Sequence, residues 1–243
     1  MSFAACMISW VFASPAWAAS STGIIPNDPH WQHEWYLRQI HMPEAWISST
    51  GSASVIVAVL DTGIDILHQD IKDNIWMNTK EIPGDGLDND QDGYVDDVHG
   101  WNFVTNRSDL QPLRKQGQSS KAMSHGTAVA SLIGGRGNDG IGMAGVAWNV
   151  RLMPLVILDA DGAGTLDGLM EAIRYAVSHG ASIINLSLAG LDYDEQLDQL
   201  MRRAALANVT IVAATGNDGR RKSGLNIDET PTYPACMDGS MNA

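Results

Sequence analysis

Val55-Ile-Val-Ala-Val-Leu-Asp61-Thr-Gly-Ile-Asp65 is an apolar run that ends in a carboxylate. Its six consecutive apolar residues, several of them β-branched, cannot alternate between core and solvent, so both faces of the strand must be buried. Such a strand belongs in the centre of a parallel sheet. Open α/β sheets place their chemistry in the crevice beyond the carboxyl ends of their strands. Asp61 is therefore a candidate functional residue, although Asp-x-Gly is also common turn composition.

Two further motifs place polar residues near the ends of short apolar segments. Ser124-His125-Gly-Thr-Ala is typical of a histidine at the start of a helix of small residues, and Ala213-Ala-Thr-Gly-Asn217 follows another apolar run. In this order, Asp-Thr-Gly, His-Gly-Thr and Ala-Thr-Gly-Asn resemble the motifs of the subtilisin-like serine peptidases, the subtilases. The resemblance covers residues 26 to about 235. It implies the subtilisin-like fold and a serine peptidase active site.

The second half of the chain alternates strand and helix patterns. A helix that Thr165 caps and Gly180 ends, and a second helix over residues 193–208, separate strands expected at 150–158, 181–187 and 209–214. Pro154 predicts that the first of these strands lies at an edge or bends. This order implies an α/β fold with a doubly wound, mostly parallel sheet and helices on both faces. By resemblance, the fold is incomplete at its C-terminus.

The resemblance assigns catalytic roles to three residues. In a serine peptidase the hydroxyl needs a base to take its proton, and the imidazole base needs a carboxylate to fix its tautomer. By resemblance, His125 is that base and Asp61 that carboxylate. Asn217 resembles the side-chain amide of the oxyanion hole, which stabilises the negative oxygen of the tetrahedral intermediate. The alternatives are a structural histidine at a helix start and a turn asparagine.

Two short segments match the subtilase strands that pair with an extended peptide substrate. In this mode of recognition, main-chain hydrogen bonds supply affinity and side-chain pockets supply selectivity. Ala189 stands where subtilases commonly have glycine, and its methyl group is expected to narrow the primary pocket. The substrate-binding candidates are Gly162, Ala163, Gly164, Ser187, Leu188, Ala189 and Gly190.

The serine nucleophile is absent from the sequence. Subtilases carry Gly-Thr-Ser-Met-Ala at a helix start well downstream of the oxyanion asparagine, whereas this chain ends at Ala243, 26 residues after Asn217. Ser240 lies in Asp238-Gly-Ser-Met, which resembles that motif only superficially because Ala-x-Pro does not follow. We therefore expect a C-terminally truncated peptidase domain that is inactive as given. The alternative is a pseudopeptidase, which binds extended peptides without cleaving them.

The charge balance excludes some classes of partner. The sequence has 15 basic and 28 acidic residues, a net charge of −13, which argues against binding nucleic acid or an anionic membrane. Its hydrophobic content of 44% and charged content of 18% are ordinary for a globular domain. The two cysteines, Cys6 and Cys236, lie at opposite ends and do not suggest a disulfide framework.

The first 19 residues resemble a secretory signal peptide. An apolar core from Phe3 to Ala13 precedes Ala16-Trp-Ala18, an A-x-A-like cleavage site. The apolar run is too short to span a membrane, and no later segment qualifies. We expect a signal peptide at residues 1–19, a catalytic domain at 20–243 and a secreted, periplasmic or extracellular protein. A buried N-terminal helix is the alternative.

An acidic loop at about residues 81–99 is a candidate calcium site. Asp88-Asn-Asp-Gln-Asp-Gly-Tyr-Val-Asp96 has carboxylates at the first, third, fifth and ninth positions of a calcium loop and Gly93 at the sixth. The twelfth position is His99 instead of glutamate, so the loop is not an EF-hand. A solvated acidic loop without metal is the alternative. The ligand candidates for Ca²⁺ are Asp88, Asp90, Asp92, Tyr94 and Asp96.

A second calcium site follows from the resemblance alone. Asp28, Asp70 and Asp139 match ligands that tie the N-terminal arm of subtilases to the domain. The alternative is that these are three unrelated surface acids.

Overall fold

The computed structural model describes residues 23–112, 124–217, 224, 226–237 and 241–242. The predicted signal peptide and Ser240 lie outside these residues. Short 3₁₀ helices occur at Trp31–His33 and Lys72–Asn74. The α-helices are α1 (Trp35–Gln39), α2 (Met42–Ser48), α3 (His125–Gly134), α4 (Leu166–Ser178) and α5 (Glu195–Leu206). The strands are β1 (Ile56–Asp61), β2 (Trp101–Asn102), β3 (Arg151–Val156), β4 (Ile183–Leu186), β5 (Thr210–Ala213) and β6 (Met241–Asn242).

The strands form one parallel sheet with β1 in its interior. Their order is β2-β3-β1-β4-β5-β6, and each neighbouring pair is parallel. Val59 of β1 lies opposite Pro154 of β3 on one side and Asn185 of β4 on the other. The predicted parallel α/β fold is therefore confirmed.

Both faces of β1 are covered by helices. Val57 and Val59 pack with Ala130 of α3, whereas Ala58 and Leu60 belong to a larger core with residues of α4 and α5. Residues 57–60 are at most 4% exposed. Burial on both sides explains why the apolar run of β1 is unbroken.

Sequence signals for the helix ends act as expected. The Thr165 hydroxyl accepts a hydrogen bond from the Gly168 amide at 3.1 Å at the start of α4, and the Asp194 carboxylate accepts one from Leu197 at 2.8 Å at the start of α5. Such caps satisfy amides that the first helical turn leaves unpaired. Gly180, with φ +76°, follows the end of α4.

The expectation that Pro154 marks an edge strand or a bend was wrong about the edge. β3 lies between β2 and β1, but β2 pairs only with Leu155 and Val156. Pro154 therefore lies just before the residues of β3 that pair with β2. At this position the missing amide of proline removes least from the hydrogen bonding between the strands.

The N-terminal arm, residues 23–48, packs on the rest of the domain through tryptophans. Trp31 and Trp46 form a buried cluster with Trp148, and the Trp46 and Trp148 rings lie 4.5 Å apart. The Trp46 indole N–H donates to the Val146 carbonyl at 2.9 Å. Buried indoles generally need such a partner.

No helix among the described residues is both long and apolar enough to cross a bilayer.

Candidate active site

The predicted site residues follow adjacent strands. Asp61 is the last residue of β1, Ser187 follows β4, and Asn217 follows β5, and these three strands are neighbours in the sheet. Residues 162–164 follow β3 on the other side of β1. Because all these strands are parallel, their carboxyl ends lie at one edge of the sheet, where α/β folds place their ligands.

His125 and Asp61 form a hydrogen-bonded pair. His125 Nδ1 lies 2.8 Å and 2.9 Å from the two carboxylate oxygens of Asp61. The Asp61 side chain is 1% exposed and that of His125 is 46% exposed. An ionised carboxylate only accepts, so the proton lies on Nδ1 and Nε2 is left as the basic nitrogen.

The carboxylate of Asp61 is held in place by its neighbour. The backbone amide of Thr62 donates to Asp61 Oδ1 at 2.7 Å, and the Thr62 hydroxyl lies 3.2 Å from the same oxygen. The buried Asp61 is therefore hydrogen-bonded by both Thr62 and His125, which fixes its orientation.

The glycine and threonine of the His-Gly-Thr motif attach α3 to the end of β1. The Thr127 hydroxyl accepts a hydrogen bond from the Asp65 amide at 2.9 Å. A Cβ at Gly126 would lie 2.3 Å from the Gly63 carbonyl oxygen and 3.1 Å from Asp61. Only glycine permits this approach, which carries His125 to Asp61.

We expect Gly126→Ala to destabilise the protein despite the higher helix propensity of alanine. The added methyl must displace backbone, and overpacking of this kind costs about 1–3 kcal/mol. Urea unfolding followed by circular dichroism measures the effect. Gly190→Ala is the matched control, because its Cβ would meet nothing closer than 3.9 Å. Equal unfolding midpoints for the two variants would contradict the packing argument.

The two predicted substrate segments differ in how they are held. Residues 162–164 are exposed in a turn, where the Ala163 carbonyl accepts from the Asp159 amide at 2.7 Å. Gly190 exchanges both backbone hydrogen bonds with Tyr233, at 2.8 Å and 2.9 Å, so it is already paired. Ala189 is exposed, and its backbone has no partner within the described part of the chain. If Gly216 carried a Cβ, that atom would lie 3.8 Å from the Cβ of Ala189.

Asn217, the predicted oxyanion donor, is exposed, so its side-chain amide is accessible to a substrate. It belongs to the segment after β5, and β4 separates that strand from β1.

Comparison with known proteins gives the family. A sequence model described as the Subtilase family matches residues 52–242, most of the chain. The chain belongs to the subtilase family. The order of motifs and the paired Asp61 and His125 agree with this membership.

Known relatives of this subtilase are longer than the chain itself. It is 32% identical over 195 residues to the thermophilic serine proteinase of Bacillus sp. strain AK1, covering 80% of the chain and 41% of the relative. It is 30% identical over 217 residues to the halolysin-like extracellular serine protease Nep of Natrialba magadii, covering 89% of the chain and 34% of that protein. The chain thus spans less than half the length of either.

A solved structure supports the fold of the subtilase. A protease of Pseudoalteromonas arctica PAMC 21717 superposes with a TM-score of 0.69 and 25% identity, covering 90% of this chain and 65% of the other.

The acidic loop of this subtilase is organised around Glu81, which the sequence analysis did not single out. One oxygen of its buried carboxylate accepts from the amides of Asn89 and Asp90, at 2.7 Å and 3.3 Å, and the other accepts from Asp96 at 3.1 Å. Ligand atoms of Glu81, Asp88 and Asp90 lie within 4.8 Å of one another. We call these three residues the oxygen cluster.

The other predicted ligands of the loop have different surroundings. The Asp96 carboxylate accepts from the Gly84 and Gly86 amides at 2.7 Å and 3.0 Å, and Asp96 is not part of the oxygen cluster. The Tyr94 ring packs against Trp101, with ring centroids 5.1 Å apart, which leaves its backbone carbonyl as the candidate ligand. Asp92 lies instead beside Asp90 and His179. His179 was missed because it is far from the loop in sequence.

The predicted second calcium site lies where the N-terminal arm meets a loop. Asp28 accepts from the Asn138 amide at 2.6 Å, and Asp70 accepts from Met143 at 3.1 Å. Both carboxylates are buried, and each has one oxygen without a hydrogen-bond partner in the described residues. Burial is the main cause that raises the pKa of Asp28. With Asp139 they do not form one of the described clusters whose ligand atoms lie within 4.8 Å.

Proposed function

We propose that this chain is part of a secreted, calcium-dependent serine endopeptidase of the subtilisin type. The observation that carries the proposal is the contact of His125 Nδ1 with the buried carboxylate of Asp61 at 2.8 Å. Because the chain belongs to the subtilase family, we assign this pair to the active site of a serine peptidase. Asn217 and the exposed backbone beside Ala189 supply the other functions that the reaction needs.

In the proposed reaction, His125 Nε2 takes the proton of a serine hydroxyl as that oxygen attacks the peptide carbonyl. Asp61 holds the imidazole in the required tautomer and stabilises the imidazolium that forms. The Asn217 side-chain amide donates to the developing oxyanion. His125 then gives the proton to the leaving amine, and water releases the acyl group by the reverse sequence.

The substrate is proposed to be a protein or peptide in extended conformation. Backbone groups after β3 and β4 would pair with it as an added strand on each side. The pairing after β4 is assigned to residues 187–189, because Tyr233 already occupies Gly190. The Ala189 methyl faces Gly216, where an added Cβ would lie 3.8 Å from it, which supports a narrow primary pocket.

The serine that completes this machinery is proposed to lie outside the given sequence. Gly-Thr-Ser-Met-Ala does not occur in these 243 residues. We expect the coding DNA beyond Ala243, read in all three frames, to encode this motif. Unrelated sequence in a genuine open frame would instead favour the pseudopeptidase, since Asp61 and His125 would then lack a nucleophile.

Calcium is proposed as a structural ion of the acidic loop. The oxygen cluster offers hard carboxylate ligands, which Ca²⁺ prefers. Bound there, the ion would neutralise carboxylates that otherwise repel one another. Asp92, Asp96 and the carbonyl of Tyr94 remain further ligand candidates.

A second calcium ion is proposed between the N-terminal arm and the loop at residues 138–143. The unpartnered oxygens of Asp28 and Asp70 support it, as does the proximity of Asp139, whose charge contributes to raising the pKa of Asp28. His30 and Asn27 also bond to this loop, the former through its amide to the Gly142 carbonyl at 3.0 Å.

Secretion is proposed from the signal-like residues 1–19 and from the relatives. The name of the Natrialba relative describes that protein as extracellular.

A further inference from the structure

His179 lies where the end of α4 meets the acidic loop, and its ring is held rigidly. The side chain is 7% exposed. Its ring stacks on Tyr175, with centroids 3.9 Å apart and planes inclined by 21°, and it meets the Trp76 ring edge to face at 5.6 Å. This packing directs Nε2 into the loop.

The hydrogen bonds of His179 leave a nitrogen lone pair facing carboxylates. Nδ1 lies 2.9 Å from the Tyr175 carbonyl oxygen, which only accepts, so Nδ1 carries the proton. In the neutral ring, Nε2 then presents its lone pair to Asp92 Oδ2 at 2.9 Å. Two acceptors at this distance repel each other unless a proton or a metal ion lies between them. Histidines that bind metals commonly donate their other N–H to a backbone carbonyl in this way.

A proton on Nε2 would satisfy only one of the two carboxylates that lie there. The Asp90 side chain is 5% exposed, and its Oδ1 is buried without a hydrogen-bond partner in the described part of the chain. Ligand atoms of Asp90, Asp92 and His179 lie within 4.8 Å of one another. Ligands on opposite sides of an ion with bonds of about 2.1 Å are about 4.2 Å apart, so small rotations of the two carboxylates bring all three side chains onto one metal ion.

The neighbouring Asp97 has a different role. It is fully buried, accepts from Asn78 Nδ2 at 3.1 Å, and accepts the hydroxyl hydrogen bond of Tyr175. Its nearer oxygen is 3.9 Å from His179 Nε2. Asp97 therefore adds negative charge beside the site without being a direct ligand.

We propose that Asp90, Asp92 and His179 bind a divalent first-row transition metal ion such as Zn²⁺, Co²⁺ or Mn²⁺. An imidazole nitrogen suits these ions, whereas Ca²⁺ and Mg²⁺ take oxygen ligands. The 2.9 Å between Nε2 and Asp92 Oδ2 is close to the roughly 3.0 Å between adjacent ligands of an octahedral ion with bonds of about 2.1 Å. Asp92, 22% exposed, gives access from solvent.

Zinc titration of the purified chain tests this site. Calorimetry should show that His179→Gln weakens Zn²⁺ binding at least about tenfold, since changes even in the outer shell of a metal site cost about 10–100-fold. His41→Gln is the matched control, because His41 also faces a carboxylate, Glu44 at 3.9 Å, but at an 82% exposed position. Calcium affinity should be unchanged in His179→Gln and reduced in Asp88→Asn.

A second measurement uses the unmodified protein. In a chain labelled with ¹⁵N-histidine, the His179 Nε2 resonance should move on adding Zn²⁺ and not on adding Ca²⁺. Equal Zn²⁺ affinity in His179→Gln and the control, or an Nε2 resonance that Zn²⁺ leaves in place, would overturn the proposal. Loss of Ca²⁺ and Zn²⁺ binding together in His179→Gln would also overturn it, because His179 would then only position Asp92. Failure of the calcium proposal alone leaves the zinc result intact.

Discussion

Residues 20–243, purified with calcium, should cleave a chromogenic peptide at no more than a residual rate. The given chain contains the hydrogen-bonded pair of His125 and Asp61 but no Gly-Thr-Ser-Met-Ala motif. In subtilisin, loss of the catalytic serine lowers turnover on the order of 10⁶-fold, and the remainder comes from binding and the oxyanion hole. Peptide hydrolysis and labelling by a fluorophosphonate probe, which reacts with an activated serine, measure the two consequences.

The His125→Ala variant is the control for this experiment. If the expectation holds, the chain and the variant show the same residual hydrolysis and the same absence of labelling. Labelling of Ser240 that disappears in His125→Ala would make the given chain a complete enzyme. It would also require Ser240 to approach His125 although it lies only 23 residues after Asn217.

The central strand and its neighbours were predictable because burial leaves a direct mark on composition. An unbroken apolar run predicted burial of both faces of β1, and Val57 and Ala58 lie in separate cores on opposite faces. Pro154 was less informative. Proline removes the hydrogen bond that its own nitrogen would donate, but a neighbouring strand can still pair with the residues that follow it. Pro154 therefore does not exclude the two-residue strand β2 beside β3.

Asp61 was predictable as a site residue because parallel strands bring their carboxyl ends together, whatever the distance in sequence. Asp61 and His125 also carry local motifs. His179 carries none, because a histidine at a helix end is ordinary composition. Only the packing of α4 against the acidic loop brings it to Asp92, and that packing depends on tertiary contacts such as the Trp76 and Tyr175 rings. Glu81 was not predicted for a similar reason. In the sequence it is one of several acids of the loop, and only the folded loop brings the Asn89 and Asp96 amides to its carboxylate.

Removal of calcium should lower the thermal stability of this chain substantially. A ligand present at about 100 times its dissociation constant stabilises the folded state by about 2.7 kcal/mol. For a domain of this size that corresponds to roughly 5–10 °C in Tm. Thermal unfolding with excess calcium and with a chelator measures the difference. Asp88→Asn, in the oxygen cluster, should gain less thermal stability from calcium than the unmodified chain, because only the second proposed ion remains. Asp192→Asn, at an exposed position, should gain as much as the unmodified chain.

The calcium effect should also depend on pH, with a sign set by Asp92. Burial, followed by the charges of Asp97 and Asp90, raises the pKa of the Asp92 carboxyl above its ordinary 3.8. Without metal, ionising Asp92 therefore costs more in the folded than in the unfolded state, and stability falls as pH rises from about 3.8 through the raised pKa. Calcium offsets this loss, so the Tm difference between calcium and chelator should widen over the same range. A chelator that leaves Tm unchanged at neutral pH would show that the acidic loop folds without a metal.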